Sequence, residues 1–525
     1  MAPRRDDRPP LTLGTAGHID HGKTALVDVL TGKNTDRLPE ERSRGISIEL
    51  GYAPLVLPSG RQLSVVDVPG HERFVRTMVA GASGVDMFLL CVAADDGVMP
   101  QTREHLAVLR HLGVGAGVVA ITKADIGEPE LAAQEAAELL PGVPVVTVSA
   151  TKRTGLDELR AALDDVAAGL PGRAGDGGPA RLHVDRSFTL RGIGTVVTGT
   201  LWSGRIGAGD QVRVLPRGLE ARVRSVQVHD QPVERAEAGQ RVALNLVGVG
   251  WRELGRGDVV TEPGAPFAAG YLLDAAVQLE PGARPLRRGE RVHVHHGTRE
   301  APARVVPLEG EQIAPGVRAY AQLRLEVPLV ASAGDRLIVR QLAPPDTVGG
   351  GVVVDAAPRK HGPGAEAVER LRALERGEPV DAPQAAEEPD REPPAEPAPS
   401  PLDDASLHVA ALLRSDGGAP RAHADLAVAA GLDLGETEAR LVLLERAGQA
   451  VRVGRNLHFH AEPLAELEAR VVAICQRDGQ TTIAALRDEL GSSRKLAQAV
   501  LEHLDRTRVT RRDGDVHVLR RGAAG

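Results

Sequence analysis

The sequence predicts a multidomain chain: an α/β P-loop domain first, two β-barrel domains next, and C-terminal tandem winged helices. Three observations predict it. Gly17-His18-Ile19-Asp20-His21-Gly22-Lys23-Thr24 is a complete G-x-x-x-x-G-K-[ST] phosphate loop, set between an apolar, strand-like Leu11-Thr12-Leu13 and a helical pattern from Ala25 to Leu30. From Arg181 the texture changes to short alternating segments with closely spaced turn signals. Beyond a proline-rich acidic stretch, a cycle of three helices and a hairpin occurs twice. At ~100–200 residues per domain, 525 residues accommodate about three to five such units.

In the first domain the loop glycines let backbone N–H groups close on phosphates at a helix N-terminus, where the dipole favours negative charge. His18, Asp20, His21 and Gly22 form the loop, Lys23 reaches the β- and γ-phosphates, and the Thr24 hydroxyl is a ligand for Mg²⁺. Leu63-Ser64-Val65-Val66-Asp67 reads as a buried strand ending in a carboxylate. The D-x-P-G segment Asp67-Val68-Pro69-Gly70 places Asp67 over the metal through a water and lets the Gly70 amide follow the γ-phosphate.

Val118-Val119-Ala120-Ile121 is a further apolar strand, ending in Thr122-Lys123-Ala124-Asp125. The Asp125 carboxylate accepts from guanine N1–H and the exocyclic N2 amine, which adenine does not offer in that arrangement, so GTP and GDP are the expected ligands. Val145 to Val148 leads to Ser149-Ala150-Thr151, whose backbone amides meet guanine O6. Thr122 stands where many GTPases carry an Asn bonded to guanine N7, and its shorter side chain does not guarantee that contact. Four motifs in this order, each at a strand end of an open α/β sheet, define a P-loop GTPase domain.

One segment narrows the subclass. Arg44-Gly45-Ile46-Ser47-Ile48 resembles the R-G-I-T-I switch segment of translational GTPases, with Ser47 supplying the hydroxyl that Mg²⁺ coordination requires. The expected metal set is therefore Thr24, Ser47 and Asp67. The segments from Gly17 to His21 and from Asp67 to His71 resemble the elongation factor Tu group. That resemblance implies that His71 positions the attacking water, and that Ile19 and Ile46 form an apolar gate in front of it.

From Arg181, strands are expected at Leu182–Val184, Val196–Thr200, Gln211–Val214 and Val242–Leu246, with Gly204, Gly207 and Gly209-Asp210 marking turns. A second β block runs from about Phe267 to Val354, with strands near Leu272–Gln278, Arg291–His295 and Arg336–Val339. A helical patch, Ala367 to Glu375, follows. In residues 377–402, eight of 26 are Pro and seven are acidic, a composition that forms no packed core and predicts an extended, disordered linker.

Helices are then expected at Leu407–Leu413, Ala422–Ala430 and Glu436–Ala447, with a hairpin of Ala450–Val453 and Leu457–Phe459. The cycle repeats with Leu464–Arg477, Thr482–Leu490 and Ser493–Arg506, and a hairpin of Val509–Arg512 with Val516–Leu519. Residues 491–521 hold eight basic side chains against four acidic ones, concentrated on one expected recognition helix and its wing. Arg494, Lys495, Arg506, Arg508, Arg511 and Arg512 are the candidate RNA contacts. The expected boundaries are 1–178, 179–264, 265–362, 363–402 for helical patch and linker, 403–462 and 463–525.

Cys91 and Cys475 lie far apart without a C-x-x-C partner, which indicates neither a disulfide framework nor a zinc site and suits a reducing cytoplasm. The charged start, Met1 to Asp7, has no apolar h-region and no run approaches a transmembrane span, so neither secretion nor a membrane is expected. The net charge of −8 is unevenly spread and does not exclude nucleic acid. A cytoplasmic monomer is the expectation.

Taken with Glu49-Leu50-Gly51-Tyr52-Ala53, His183-Val184-Asp185-Arg186-Ser187-Phe188, Gly192 to Thr200, Gly239 to Asn245, Asp346 to Gly351 and the terminal Ser493-Arg494-Lys495 and Arg511-Arg512, almost the whole chain resembles the bacterial selenocysteine-specific elongation factors. The resemblance implies delivery of selenocysteinyl-tRNA to the ribosome, with winged helices on an mRNA hairpin, the selenocysteine insertion element, beside a recoded UGA codon. It also implies a selenocysteine pocket. A selenol is largely anionic at neutral pH, so Arg186 and Arg241 would supply fixed positive charge, Asp185 would orient them, and Tyr52 would cover the pocket with GTP bound. One departure is length: bacterial members usually carry four winged helices, and this chain has room for about two. The alternatives are a general aminoacyl- or initiator-tRNA GTPase, which leaves the basic tail unexplained, and a GTPase-linked winged-helix regulator, which leaves the Asp185-Arg186 and Arg241 segments unexplained.

Overall fold

The computed structural model describes residues 8–36, 41, 47–71, 74–173, 177–190, 192–342, 346–378, 403–454, 457–491, 493–507, 509–514 and 516–519. Ile46, Arg508, the side chain of Lys495 and most of the expected linker lie outside the described residues. The chain forms two compact units, Met1–Ala382 and Pro383–Gly525.

The first unit opens with β1 (Leu11–Ala16), α1 (Lys23–Thr31), β2 (Gly51–Val56), β3 (Gln62–Asp67), α2 (Val75–Ala82), β4 (Met87–Ala93), α3 (Pro100–His111), β5 (Gly117–Thr122), α4 (Pro129–Leu139), β6 (Val145–Thr147) and α5 (Leu156–Ala168). The sheet order is β2-β3-β1-β4-β5-β6, with only β2 antiparallel to its neighbour. Apolar side chains fill both faces, because helices cover both. Along β4, Met87, Leu89 and Cys91 face a core with α1 and α5, while Phe88, Leu90 and Val92 face one with α2 and α3. The phosphate loop, Asp67 and Thr122 thereby meet at the C-terminal edge of the parallel strands, where such sheets bind ligands.

The first barrel runs in the order 211–215, 259–261, 181–190, 194–203, 241–247, 219–228, and closes by pairing 219–228 with 211–215. The second is a closed barrel in the order 269–279, 318–330, 299–307, 291–296, 336–341, 347–355. Its Gly349-Gly350-Gly351 run permits close approach: a Cβ on Gly350 would lie 2.5 Å from the Cβ of His111, at the end of α3. His111 to Glu280 (2.7 Å) and Glu104 to Arg340 (3.4 Å) and Thr347 (3.2 Å) fasten α3 to this barrel. The helix Ala365–Glu375, grouped with the linker in the sequence reading, is seated on the barrel instead. Val368 and Leu371 are buried against Leu308, Tyr320 and Val354, and the Tyr320 hydroxyl donates to Glu375 (2.6 Å).

The second unit holds helices Asp404–Asp416, His423–Ala430 and Leu434–Arg446 with the hairpin Ala450–Gly454 and Leu457–His460. Helices Ala461–Asp478, Ile483–Leu490 and Arg494–Arg506 follow, with the hairpin Thr510–Asp513 and Val516–Leu519. Five of these helices start on side-chain caps, in which Asp403, Asp433, His460, Thr482 and Ser493 accept a backbone N–H from the first turn. Val453 and Phe459 of the first wing share a core with Leu486, Val500 and Leu504 of the second module. The two modules are one folding body. No helix among the described residues is long and apolar enough to cross a membrane.

Candidate nucleotide site and interdomain pocket

The phosphate loop owes its shape to backbone that favours glycine: Gly17 has φ 125°, Gly22 φ 74°, and Asp20 also takes a left-handed φ of 62°. A Cβ on Gly17 would lie 2.2 Å from the Cys91 carbonyl oxygen. Lys23 is 6% exposed and donates to the carbonyls of Gly17 (3.1 Å) and His18 (2.6 Å). Burial pulls its pKa below the ordinary value, and the Asp67 carboxylate opposes that shift. His21 is fully buried, with Nδ1 3.3 Å from the Cys91 carbonyl oxygen, and burial pushes its pKa down to about 4. It is a neutral strut of the loop.

The three expected metal residues meet. Thr24 Oγ1 donates to Asp67 Oδ2 (2.8 Å) and lies 2.9 Å from Ser47 Oγ, which donates to Asp36 (2.8 Å). Hard oxygen donors of this kind suit Mg²⁺. A Cβ on Gly70 would stand 2.3 Å from the Lys23 ammonium and 2.8 Å from the Ile19 nitrogen, so only bare backbone leaves space there for a γ-phosphate. The residues fit GTP with Mg²⁺.

Of the residues expected to read the guanine edge, Asp125 is exposed and accepts from Ser149 Oγ (2.6 Å), a bond that holds its carboxyl below the usual range. Ser149 Oγ also accepts the Lys152 N–H (3.0 Å), which shapes the turn through Ala150 and Thr151. Lys123 pairs with Asp95 (2.9 Å). Thr122 donates to the His21 carbonyl (2.8 Å), so its hydroxyl ties β5 to the phosphate loop. His71 is half-buried beside Phe74, with ring centroids 5.8 Å apart. Of the expected gate, Ile19 is half-buried on the loop, and Ile46 lies outside the described residues.

Three residues that the motifs did not flag brace this site. Gln101 accepts the Ile19 N–H (3.2 Å), His105 Nδ1 accepts the Gly17 N–H (3.1 Å), and Thr35 donates to Asp67 Oδ2 (2.6 Å). Burial pushes His105 down to about 3, which keeps Nδ1 free to accept. Gln101 and His105 sit on α3, where helical spacing reads as ordinary packing, so no sequence signal marks them.

A second cavity lies between the GTPase domain and the first barrel, with Tyr52, Ser64, Arg186, Phe188, Ile193 and Arg241 in its lining. Arg241 (11% exposed side chain) and Asp185 (6%) form a buried pair through both guanidinium termini. Thr198 bridges them, donating to Asp185 (2.8 Å) and accepting from Arg241 (3.1 Å). The Tyr52 hydroxyl donates to Asp185 (3.1 Å), and the Arg241 guanidinium carbon lies 3.1 Å from the ring centroid. Burial works against the Arg241 charge, yet the facing carboxylate leaves its pKa above the ordinary value, while burial raises that of Tyr52.

Asp185 does not orient both arginines as expected. It is the extra residue of a β-bulge between Val184 and Arg186, and consecutive side chains of a strand point apart, so it reaches Arg241 while Arg186 turns elsewhere. Arg186 donates to the Leu50 carbonyl (2.6 Å) and pairs with Glu49 (3.0 Å).

Residues 9–168 match the family described as Elongation factor Tu GTP binding domain, and 194–261 match Elongation factor Tu domain 2. Residues 274–360 match the β-barrel domain of selenocysteine-specific elongation factor, and 473–519 match the winged helix of elongation factor SelB. The selenocysteine-specific elongation factor of Methanocaldococcus jannaschii is 32% identical over 375 residues, which are 66% of this chain and 80% of that relative. The chain belongs to the selenocysteine-specific elongation factors, within the translational GTPases of the elongation factor Tu type.

The family member from Desulfomicrobium baculatum is 45% identical over 360 residues, 67% of this chain but 56% of its own length, so the match spans little more than half of that relative. A solved bacterial selenocysteine-specific elongation factor, EF-Sec, shares the fold with a TM-score of 0.63 at 24% identity, covering 98% of this chain and 100% of that one. In the tail of this family member, Arg494 is exposed at the first residue of the helix Arg494–Arg506, whose first turn carries no acidic side chain. Arg511 and Arg512 are exposed on the wing. Arg506, about 18 Å away along the helix, instead donates to the Arg452 carbonyl (3.1 Å).

Proposed function

We propose that this chain delivers selenocysteinyl-tRNA to the ribosome at recoded UGA codons, using GTP, and is recruited by an insertion-element hairpin in the mRNA. The observation that carries the reading is the order of modules on one chain: a GTP-binding domain, a first barrel with a charged pocket at its junction with that domain, a second barrel, and a basic winged helix. Lys23 and the loop amides bind the phosphates, and Asp125 reads the guanine edge. Thr24, Ser47 and Asp67 would hold Mg²⁺, which spreads the charge of the β- and γ-phosphate oxygens. His71 orients the attacking water, with Ile19 and Ile46 as the gate that ribosome contact opens. In the pocket, Arg241 and Arg186 present positive charge to a selenolate, and Tyr52 covers it.

The tail supports the RNA half of the reading. A cation on the first turn of a helix is disfavoured by the helix dipole, so Arg494 is better placed for an external phosphate than for the fold. The fragment 403–525, kept whole because both modules share one core, is expected to bind its hairpin with a steep salt dependence. Arg494→Ala should weaken binding and flatten the log–log salt slope by about one. Equal affinity for any DNA duplex would favour the regulator reading instead.

A further inference from the structure

The third helices of the two winged-helix modules turn different faces to solvent. In the second module, Arg494–Arg506 exposes Arg494, Gln498, Glu502 and Arg506 at steps of four, an outward line that is polar throughout. In the first, Leu434–Arg446 buries Thr437, Leu441 and Leu444 and turns Gly435, Ala439 and Val442 outward at steps of four and three. Val442 is 45% exposed, and Leu443, bordering the line, 39%. Single exposed apolar residues are ordinary, but a line of them at helical spacing marks an interaction face. Charge around the line has one sign. Residues 423–446 hold five carboxylates against two arginines. Glu436 and Glu438 are exposed beside the line, Asp433 caps the helix, and Arg440 is turned to Asp403 (3.2 Å).

We infer that the outward face of Leu434–Arg446 docks a basic protein surface of the ribosome. The tandem then divides its work: the second module holds RNA and the first holds protein. The ribosome as carrier of that surface rests on the delivery function proposed above; the kind of surface rests on charge. Carboxylates at the start of the third helix repel phosphate, so this module does not repeat the RNA contact of its neighbour. A second copy of the chain would bring the same carboxylates face to face, because a two-fold interface uses one patch twice. An apolar centre with an acidic rim instead complements apolar side chains ringed by lysine or arginine.

The test is equilibrium binding of the full chain to intact ribosomes and to protein-free ribosomal RNA. Ala439→Glu sets a carboxylate at the centre of the face without touching the core. It is expected to weaken binding to intact ribosomes about tenfold, the cost of desolvating an unpaired charge. Glu436→Lys should weaken it about threefold at low salt, an effect that shrinks as salt rises. Both variants should bind protein-free RNA and the mRNA hairpin as the wild type does. The two modules share one core, so unchanged hairpin binding also reports an intact fold. Wild-type affinity of Ala439→Glu for intact ribosomes overturns the inference. So does an equal loss on protein-free RNA, which makes the face an RNA contact, or a dimer of the wild-type chain that Ala439→Glu dissolves. Failure of ribosomes to stimulate GTP turnover by the wild-type chain would overturn the delivery function, a result read separately from these titrations.

Discussion

Replacing His71 by alanine is expected to slow ribosome-stimulated GTP turnover about 10²–10⁴-fold, the usual effect of removing a positioned proton-handling group. GTP binding should stay unchanged. The geometry argues for this separation: the phosphates are held by Lys23 and the loop, and Asp67 is fixed by the hydroxyls of Thr15, Thr24 and Thr35. None of these passes through His71. The residue follows Gly70, whose α-carbon faces the Lys23 ammonium, so its backbone begins beside the space for the γ-phosphate. Single-turnover hydrolysis with saturating ribosomes, next to equilibrium GTP binding, checks both halves. An unchanged stimulated rate would remove His71 from the mechanism.

Arg241→Ala is expected to weaken selenocysteinyl-tRNA binding in the GTP state by roughly 30-fold or more, with seryl-tRNA nearly unaffected. Truncating one partner of a buried, hydrogen-bonded charge pair typically costs ~2–5 kcal/mol, much of it from the stranded partner. Here the stranded partner is Asp185, 6% exposed at the side chain, and a bare carboxylate in the pocket wall would repel a selenolate directly. A serine hydroxyl carries no charge and feels little of this. Thermal unfolding separates the two contributions, and Asp185→Asn combined with Arg241→Ala should restore fold stability without restoring selenocysteine binding. Equal losses for both aminoacyl forms would make the arginine structural.

The nucleotide site was legible in the sequence because phosphate and guanine chemistry fix both residue types and their spacing. Lys23 and Thr24 open α1 after β1, Asp67 ends β3, and Asp125 follows β5, an order set by the sheet. The braces were not legible. Gln101 and His105 reach the loop from α3 and Thr35 reaches Asp67 across 32 residues, so nothing local marks them. The winged helices were readable as two cycles of three helices and a hairpin, although the helices capped by Asp403 and Asp433 begin ahead of the expected Leu407 and Glu436.

The barrels were only partly readable. Leu219–Val228 alternates buried and exposed residues, but a register shift between Val223 and Ser225 breaks the period midway. In Thr347–Asp355, three successive glycines conceal a strand that closes the barrel and admits α3. The pocket was named from its residues, yet the partner of Asp185 depends on a bulge that alternation alone cannot show.

The most direct test of the account is a four-way binding measurement on the full chain: selenocysteinyl- and seryl-tRNA, each with a GTP analogue and with GDP. The account predicts that selenocysteinyl-tRNA with the GTP analogue binds tightest, by about tenfold or more over every other combination, within the usual range of coupling between two sites. Equal affinity for the two aminoacyl forms in the GTP state, or no dependence on the nucleotide, would contradict it.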